Sequence, residues 1–328
     1  MRAIIVWGLA FFLIAPLVVS LLFPDLRYQG YLQVPDIKGP YHYFYHEIIE
    51  EKDEIDLLFI GGSGIWADID APYLEERFSK ELGRPFHVRV LGTHWSSDDL
   101  FHMILHDVVA HRKVKNVIFP IHGDDSWRTK GHPMAHFIWD HLEFGHIVKK
   151  LSISTQLAFY ALNIINTPRN LVSLLRADSH SLRPPLQEFY DQLVKNKGSF
   201  LNDKTWPGVK KDLAQLNLEP GTKQWEHFVY TGKDNPYFRQ MPAPLNSTQL
   251  AFAQASLDLC HKKACNIFYL QIPVVSQIRD QEIPMSAYPS EFFQSGLRLI
   301  GIPNAKVFAG MTEDELHQLF YNTNHLNK

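Results

Sequence analysis

The sequence predicts an α/β protein built on a doubly wound parallel sheet of about five strands. Three observations predict this class. Short apolar runs recur along the chain, helix-like segments separate most of them, and the runs lack polar alternation. Strands that are apolar on both faces are typical of parallel sheets covered by helices on each side. The composition, 45% hydrophobic and 20% charged, is that of an ordinary globular protein.

The predicted elements alternate in the order that such a sheet requires. The first group consists of a strand at 55–62, a helix closed by Gly83, a strand at 86–92, a helix that begins in the Ser-Ser-Asp-Asp stretch, and a strand at 114–121. Capping residues at the start and a glycine at the end are the usual signals of helix boundaries. The second group consists of a helix at 247–263, a strand at 266–274, a helix at 290–301, a strand at 306–310 and a last helical turn at 312–320.

These elements divide the chain into four parts. We predict an anchor at 1–24, a linker at 25–54, an α/β domain formed by 55–125 together with 246–328, and a large, mostly helical insertion at 126–245. Ligands of open parallel sheets bind at the carboxyl edge, and connecting segments there carry function. The insertion is therefore a candidate lid or docking surface.

The N-terminal segment predicts a transmembrane helix. Residues 3–23 are 21 consecutive uncharged and mostly apolar positions. At about 1.5 Å per residue, such a helix covers roughly 30 Å of hydrocarbon. A cleaved signal peptide and a buried core helix are the alternatives, although the segment shows no clear Ala-x-Ala site for cleavage. Arg2 precedes the segment and Asp25 follows it, which favours a cytoplasmic N-terminus and a domain on the far side of the membrane.

Charge and cysteine content narrow the function classes. The net charge of −3 and the pI near 6.6 give no basic surface of the kind that binds nucleic acid. The chain has two cysteines, Cys260 and Cys265. In an oxidising compartment they could form a disulfide, and the alternative is two small apolar residues between a helix and a strand. We predict no cofactor and no metal site.

A serine among three glycines is the first candidate catalytic residue. The predicted strand at 55–62 runs into Gly61-Gly62-Ser63-Gly64. Reactive groups of open parallel sheets lie at the carboxyl ends of strands, and glycines there permit tight turns. The nucleophile elbow G-x-S-x-G is not matched, because Ile65 stands in its last position. A phosphate-binding turn or a plain strand-to-helix connection is the alternative.

A catalytic serine also needs a base and donors for an oxyanion. Gly92 ends the second predicted strand and offers a backbone N–H beside the first. Polar residues at 122–125 follow the third strand. His325 follows the last strand and helix, from where it could reach back toward Ser63.

In order and type these residues resemble the SGNH hydrolase superfamily, also called GDSL esterases. The resemblance covers roughly 55–125 and 246–328 and leaves the insertion uncovered. It aligns Gly62-Ser63 with the serine block and Gly92 with the glycine block. The remaining blocks, Gly-x-Asn-Asp and Asp-x-x-His, fall on His122-Gly123-Asp124-Asp125 and Asn322-Thr323-Asn324-His325. The resemblance implies a flavodoxin-like SGNH fold, a catalytic set of Ser63, His325 and Asn322, and an oxyanion site at or near Gly92, Asp124 and Gly62.

Two positions depart from the family pattern. Asp124 stands where the family has an asparagine that donates to the oxyanion, and an ionised carboxylate would repel that charge. Asn322 stands where the family has an aspartate, so it can orient His325 but cannot compensate an imidazolium charge. A literal Asp-x-x-His also occurs at Asp314 and His317, where a helix-surface arrangement is the alternative.

The resemblance is to the membrane-anchored branch that includes alginate O-acetyltransferase-type and lipoteichoic acid D-alanylation-type proteins. It implies a single-pass protein of a bacterial cytoplasmic membrane with its domain in the periplasm or at the cell surface. The expected function is transfer of an acyl group, in the first place acetyl, to a cell-envelope polysaccharide, with a multi-span acyltransferase of the MBOAT class as partner. The alternatives are an esterase or deacetylase that uses water, and a catalytically impaired subunit of a membrane acylation complex.

Other histidines and tryptophans have weaker interpretations. The four histidines at 132, 136, 141 and 146 lack a spacing of known metal-ligand geometry, and we interpret them as surface positions. His94 and His122 would be either alternative bases or substrate contacts near Ser63, or hydrogen-bonded histidines of the loops. The tryptophans after the first three strands, Trp66, Trp95 and Trp127, would either pack under the insertion or line a substrate rim.

Overall fold

The structure is a computed structural model of the 328-residue chain. It describes residues 2–33, 40–93, 97–120, 132, 134–174, 184–200, 246–270, 298–300, 320–322 and 325–326. The description is of the backbone alone at 2–6, 9–13, 173–174, 184–186, 299, 320–322 and 325–326.

The centre of the fold is a parallel sheet of four strands with a short fifth strand at one edge. The strands are β1 (Ile55–Gly61), β2 (Val88–Gly92), β3 (Val114–Pro120), β4 (Asn266–Leu270) and β5 (Arg298–Ile300). They lie in the order β2-β1-β3-β4-β5, and every neighbouring pair is parallel. The predicted α/β class with a parallel sheet is confirmed, and this strand order is the one found in flavodoxin-like sheets.

Helices occupy most of the remaining described chain. They are α1 (Arg2–Leu22), α2 (Gln29–Gln33), α3 (Tyr41–Tyr45), α4 (Ser63–Asp68), α5 (Ala71–Leu82), α6 (Asp98–His111), α7 (Ala135–Ile138), α8 (His141–Val148), α9 (Ile153–Leu174), α10 (Pro184–Lys195) and α11 (Ser247–Lys263). A 3₁₀ turn covers Pro24–Tyr28 and a π turn covers His46–Glu50. A separate antiparallel pair consists of β6 (Phe320–Asn322) and β7 (His325–Leu326).

Local sequence explains where the helices beside the sheet begin and end. The side chain of Asp70 accepts a hydrogen bond from the backbone amide of Tyr73 at the start of α5. Gly83 ends that helix in the left-handed conformation, with φ of 63°. Asn246 and Gln249 form a reciprocal capping box at the start of α11. Both helices therefore have the boundaries that the sequence predicts.

The hydrophobic core lies on both faces of the sheet. On one face, side chains of β1 and β3 pack with α6 and α11. Phe144 in α8, Phe159 in α9 and Trp139, which follows α7, add a further layer. On the other face a smaller cluster joins Phe59, Val90 and Ile118 to Ile65 and Ala71. Since helices cover both faces, most residues of the strands are apolar, and the exceptions include Asp56 in β1 and Arg89 in β2.

The described residues correct two predicted elements. Residues 298–300 form strand β5, although the sequence analysis places them in a helix at 290–301. Phe320 begins strand β6 and does not end a helical turn. Runs of three residues are too short to separate a period of two from a period of 3.6, and pairing with β4 or β7 decides their conformation. The predicted strand at 306–310 lies outside the described residues.

The two cysteines form a disulfide, which resolves the alternative that the sequence left open. The sulfurs of Cys260 and Cys265 are 2.04 Å apart. The bond joins the end of α11 to the residue before β4, and the amide of Cys265 also donates to the carbonyl of Cys260. The disulfide therefore fixes the turn between this helix and this strand.

The predicted N-terminal anchor is a helix, α1, of 21 residues. Within the part of the chain that the structure describes, no helix combines the length and the apolarity needed to cross a membrane. The transmembrane anchor stays a prediction.

The segment predicted as a linker at 25–54 is helical over much of its described length and packs on the α/β domain. Arg27 is buried and its Nη2 lies 2.5 Å from Oδ1 of Asp107 in α6. The hydroxyl of Tyr31 donates to the other carboxylate oxygen of Asp107 at 3.0 Å. These buried contacts tie the chain after α1 to the helix that lies beneath the sheet, which composition alone does not reveal.

A second buried cluster fixes the end of the same segment. Glu47 accepts a hydrogen bond of 2.6 Å from Arg112 and one of 3.2 Å from Arg89. The hydroxyl of Tyr43 donates to the second oxygen of Glu47 at 3.0 Å. Arg112 also donates to the carbonyl of Asp53 just before β1. One carboxylate therefore joins the segment to β2 and to the residue that follows α6.

Asp107→Asn should destabilise the protein by about 3–5 kcal/mol, because it leaves the buried guanidinium of Arg27 without a compensating charge. The free energy of unfolding of the full chain in mild detergent, measured with urea and tryptophan fluorescence, tests this. Arg77→Met is the matched control, since its partner Glu81 is 50% exposed and the pair lies in solvent. The control should leave the free energy of unfolding close to that of the wild type. Equal effects of the two variants would contradict the structural role of Asp107.

A buried histidine predicts a loss of stability in acid. His102 lies in α6, its Nδ1 is 3.0 Å from Oγ of Ser256, and burial lowers its pKa to about 3. The hydroxyl of Ser256 donates to the carbonyl of Phe252, so His102 is assigned as the donor in this contact. As the pH falls below about 6.5, the unfolded chain takes up a proton that the folded chain excludes. Stability is therefore full near pH 7 and decreases toward pH 3.

Between pH 7 and pH 5 this single group should cost about 2 kcal/mol of stability. His102→Asn keeps a side-chain donor and removes the titration, so its unfolding free energy should fall less over the same pH interval. The exposed His146, changed to Asn, is the control and should retain the wild-type dependence. An unchanged pH slope in His102→Asn would refute the assignment.

Candidate functional site

Ser63 lies at the carboxyl end of the central part of the sheet. Strand β1 ends at Gly61, Gly62 is the residue before the helix, and Ser63 is the first residue of α4. Its side chain is partly exposed. The structure therefore confirms that Ser63 lies at a strand-to-helix turn.

Two glycines allow α4 to lie directly on the ends of β1 and β2. Gly61 and Gly92 are direct partners in the parallel pairing. A Cβ atom on Gly61 would be 2.3 Å from Cγ1 of Ile65, and one on Gly92 would be 2.3 Å from Cβ of Trp66. Any larger residue would force the first turn of α4 away from the strands. The glycines are thus needed for close approach at the position of Ser63.

Thr93 joins the ends of the same two strands, and the sequence analysis did not single it out. Its amide donates to the carbonyl of Gly61 at 2.7 Å, and its hydroxyl donates to the same oxygen at 3.1 Å. Thr93 is fully buried. The turn that carries Ser63 therefore begins from a carbonyl that is held by two hydrogen bonds.

The structure brings the element that contains His325 next to the element that contains Ser63. Strand β7, which begins at His325, contacts helix α4, which begins at Ser63. Asn322 and His325 are direct partners in the antiparallel pairing of β6 with β7. The backbone thus places the three predicted catalytic positions around one turn, although about 260 residues separate the serine from the histidine in the sequence.

Other predicted site residues lie outside the described residues. They are Asp124 of the candidate oxyanion site, the alternative bases His94 and His122, the alternative pair Asp314 and His317, and the tryptophans Trp95 and Trp127. Trp66 is described and is 8% exposed, with ring contacts to Phe189 and Phe200. The packing interpretation is confirmed for Trp66.

The buried carboxylate of Asp99 lies at the same edge of the sheet, and the sequence predicts no bridging role for it. Asp99 accepts hydrogen bonds from the hydroxyl of Ser97 and, at 2.7 Å, from the amide of His132. Burial raises the pKa of Asp99. Ser97 lies five residues after the end of β2, and His132 lies twelve residues after the end of β3. Asp99 therefore joins the chain segments that follow β2 and β3, the two strands on either side of β1.

The sequence around Asp99 fits two interpretations, a helix cap and a buried hydrogen-bonded carboxylate. The Ser-Ser-Asp-Asp stretch predicts the start of a helix, and α6 does begin at Asp98. The side chain of Ser97, however, bonds to Asp99 and caps no backbone amide. A capping signal and a buried carboxylate bridge use the same residue types, so sequence alone does not separate them.

The interpretation of the four histidines after β3 as surface positions is wrong for His132 and confirmed for His146. His132 is buried beside Asp99, and its Nδ1 accepts the amide of Met134. The ring of His141 contacts Tyr160, and His146 is exposed. Within the described ranges, no three histidine, cysteine, aspartate or glutamate side chains come together in a way that could hold a metal ion.

Comparison with known proteins adds no assignment. The sequence matches no protein-family model and no curated protein.

Gly92→Ala should destabilise the protein by about 1–3 kcal/mol, because its new methyl group would overlap Trp66 in α4. Thermal unfolding of the full chain in detergent, followed by circular dichroism, tests this. Gly8→Ala is the control, since an added Cβ there meets no atom within 4 Å. A melting temperature of Gly92→Ala equal to that of the wild type would show that α4 does not need this close approach.

Proposed function

We propose that the chain is a membrane-anchored, extracytoplasmic SGNH-type acyltransferase that transfers an acyl group, in the first place acetyl, to a cell-envelope polysaccharide. The observation that carries this proposal is the contact between α4, which begins with Ser63, and β7, which begins with His325. Nucleophilic serine chemistry needs a base near the hydroxyl. The serine also lies at the carboxyl end of a parallel strand, where open sheets bind their ligands.

The proposed reaction has two steps that use the same residues. The hydroxyl oxygen of Ser63 attacks the acyl carbonyl of the donor while His325 takes the hydroxyl proton. The tetrahedral oxyanion collapses, the bond to the leaving group breaks, and that group takes the proton from His325. In the second step His325 removes a proton from the acceptor hydroxyl, whose oxygen attacks the Ser63 ester. The bond between the acyl carbon and the serine oxygen then breaks, and His325 returns the proton to that oxygen.

Other residues assist these steps in the proposal, either at the oxyanion or at the imidazole. The backbone of Gly92, with Gly62 beside it, would stabilise the oxyanion. Asn322, the pairing partner of His325, would orient the imidazole through its amide oxygen. Asp124 would contribute near the oxyanion only in its protonated form, since an ionised carboxylate repels the developing charge.

The proposed location is supported by two features of the chain. Residues 3–23 are uncharged and mostly apolar, which supports a single-pass anchor. The Cys260–Cys265 disulfide fits an oxidising compartment such as the periplasm or the cell surface. A multi-span MBOAT-type acyltransferase in the same membrane is the proposed partner, because an acyl group used outside the cytoplasm needs a route across the bilayer.

Two alternatives follow from the same residues. With water as the acceptor, the second step is hydrolysis, and the protein is an esterase or deacetylase. The replacement of the family's asparagine and aspartate by Asp124 and Asn322 favours a catalytically impaired subunit of a membrane acylation complex. An experiment that detects an activated serine separates the enzymatic alternatives from the impaired one.

A fluorophosphonate should modify the full chain once, at Ser63. The serine oxygen would bond to phosphorus with loss of fluoride, and intact-mass spectrometry of the detergent-solubilised protein would show one adduct. Ser63→Ala should abolish the adduct, and His325→Ala should slow its formation by about 10²–10⁴, the usual contribution of a general base. Ser152→Ala, at an exposed serine, is the matched control and should leave the rate unchanged.

Other results of the fluorophosphonate experiment would favour an alternative function or another catalytic residue. A folded wild-type chain that forms no adduct would favour the impaired subunit. An adduct that persists in Ser63→Ala would remove this serine from the proposal. Wild-type modification rates in His325→Ala would direct the search for the base to His94, His122 or His317.

A further inference from the structure

Helix α9 has its polar and apolar faces reversed relative to a helix on a water-exposed surface. Its exposed residues recur every three or four positions along one stripe. Ile153 and Leu157 are 76% and 63% exposed, and Ile165 and Val172 are 50% and 48% exposed. Ala161 and Pro168 complete the stripe, which contains no charged residue, and the exposed Ser154 adjoins it in the first turn. A helix that faces water carries its polar residues on the outer side.

The inner face of α9 holds the polar side chains. Asn163, Asn166, Thr167 and Asn170 are buried, together with Phe159 and Leu162. Asn163 accepts the amide of His141 at 2.9 Å. Asn166 and Asn170 donate at 3.4 Å to the carbonyls of Trp139 and Phe137. Polar residues that bond inward and apolar residues that point outward are the arrangement of helices in lipid.

The apolar surface of α9 continues onto α1. The two helices are in contact, and α1 also contacts α8. Pro16 and Ser20 of α1 are buried, so the second half of α1 packs on the rest of the protein. The outer side of that half exposes Ile14, Val18 and Leu21. If residues 3–23 span the bilayer, α9 lies at the depth of the hydrocarbon beside them.

We propose that α9 is embedded in the membrane beside α1, with its stripe of Ile153, Leu157, Ala161, Ile165, Pro168 and Val172 in contact with lipid acyl chains. This inference rests on the proposed anchor. Lipid fits the stripe better than a protein partner, because protein interfaces combine apolar with polar contacts and hydrogen bonds. The six residues of the stripe offer no side-chain hydrogen bond at all.

Fluorescence quenching by brominated lipid tests the proposal on the full chain. The two natural cysteines are joined in the disulfide, so a single introduced cysteine can be labelled with an environment-sensitive NBD probe. Leu157→Cys and Ile165→Cys place the probe on the stripe, and Ile14→Cys places it on the proposed anchor. Lys80→Cys is the exposed control on α5, on the opposite face of the sheet. The protein is reconstituted in phosphatidylcholine vesicles with and without bromine in the acyl chains.

The probes at 157 and 165 should emit at shorter wavelength and lose most of their fluorescence in brominated vesicles, as should the probe at 14, whereas the probe at 80 should lose none. Quenching at 14 without quenching at 157 and 165 would overturn the proposal and leave the anchor intact. Water-like emission at all four positions would overturn both. Burial of 157 and 165 only in native membranes, and never in vesicles, would assign the stripe to a protein partner and refute its contact with lipid.

Discussion

The buried ion pair between Arg27 and Asp107 is the contact on which the arrangement of the N-terminal third depends. It joins the turn that follows α1 to a helix that packs directly under the sheet. Moving two charges out of water is costly, so such a pair persists only where close geometry and further hydrogen bonds compensate. Tyr31 and His106 supply those further contacts to Asp107. As a result, α1 and the sheet are held in one arrangement and are not joined by a flexible tether.

This constraint also relates the candidate site to the membrane. Ser63 lies at the carboxyl edge of the sheet, α1 is fixed to the same sheet through α6, and α9 packs along α1. In the proposed topology the depth of α9 in the lipid and the height of Ser63 above it are therefore set by the same contacts. An acyl donor delivered by a partner in the bilayer would meet the serine at a constant distance from the membrane surface.

The sequence predicts most of the sheet but little of what surrounds it. Strands β1, β3 and β4 each contain a run of four mostly apolar residues, which suits a strand buried on both faces of a parallel sheet. Ser63 was predictable because glycines mark the end of such a run. The proximity of His325 to Ser63 was expected only from the order of the elements and from the family resemblance, because local sequence does not determine the path of the chain between β7 and α4. The aromatic segment at 25–54 resembles a linker in composition, and only its buried partners Asp107 and Arg112 show that it belongs to the domain.

The segment at 197–200 closes the β2 edge of the sheet. The carbonyl of Lys197 accepts a hydrogen bond from the amide of Val90 in β2, and the hydroxyl oxygen of Ser199 accepts one from the amide of Ala71. Gly198 has φ of 92°, and an added Cβ would be 1.8 Å from the carbonyl oxygen of Val90, so only glycine fits there. An uncovered edge strand is a template for pairing with another chain. By occupying its own edge, the protein removes one route to intermolecular strand pairing and aggregation.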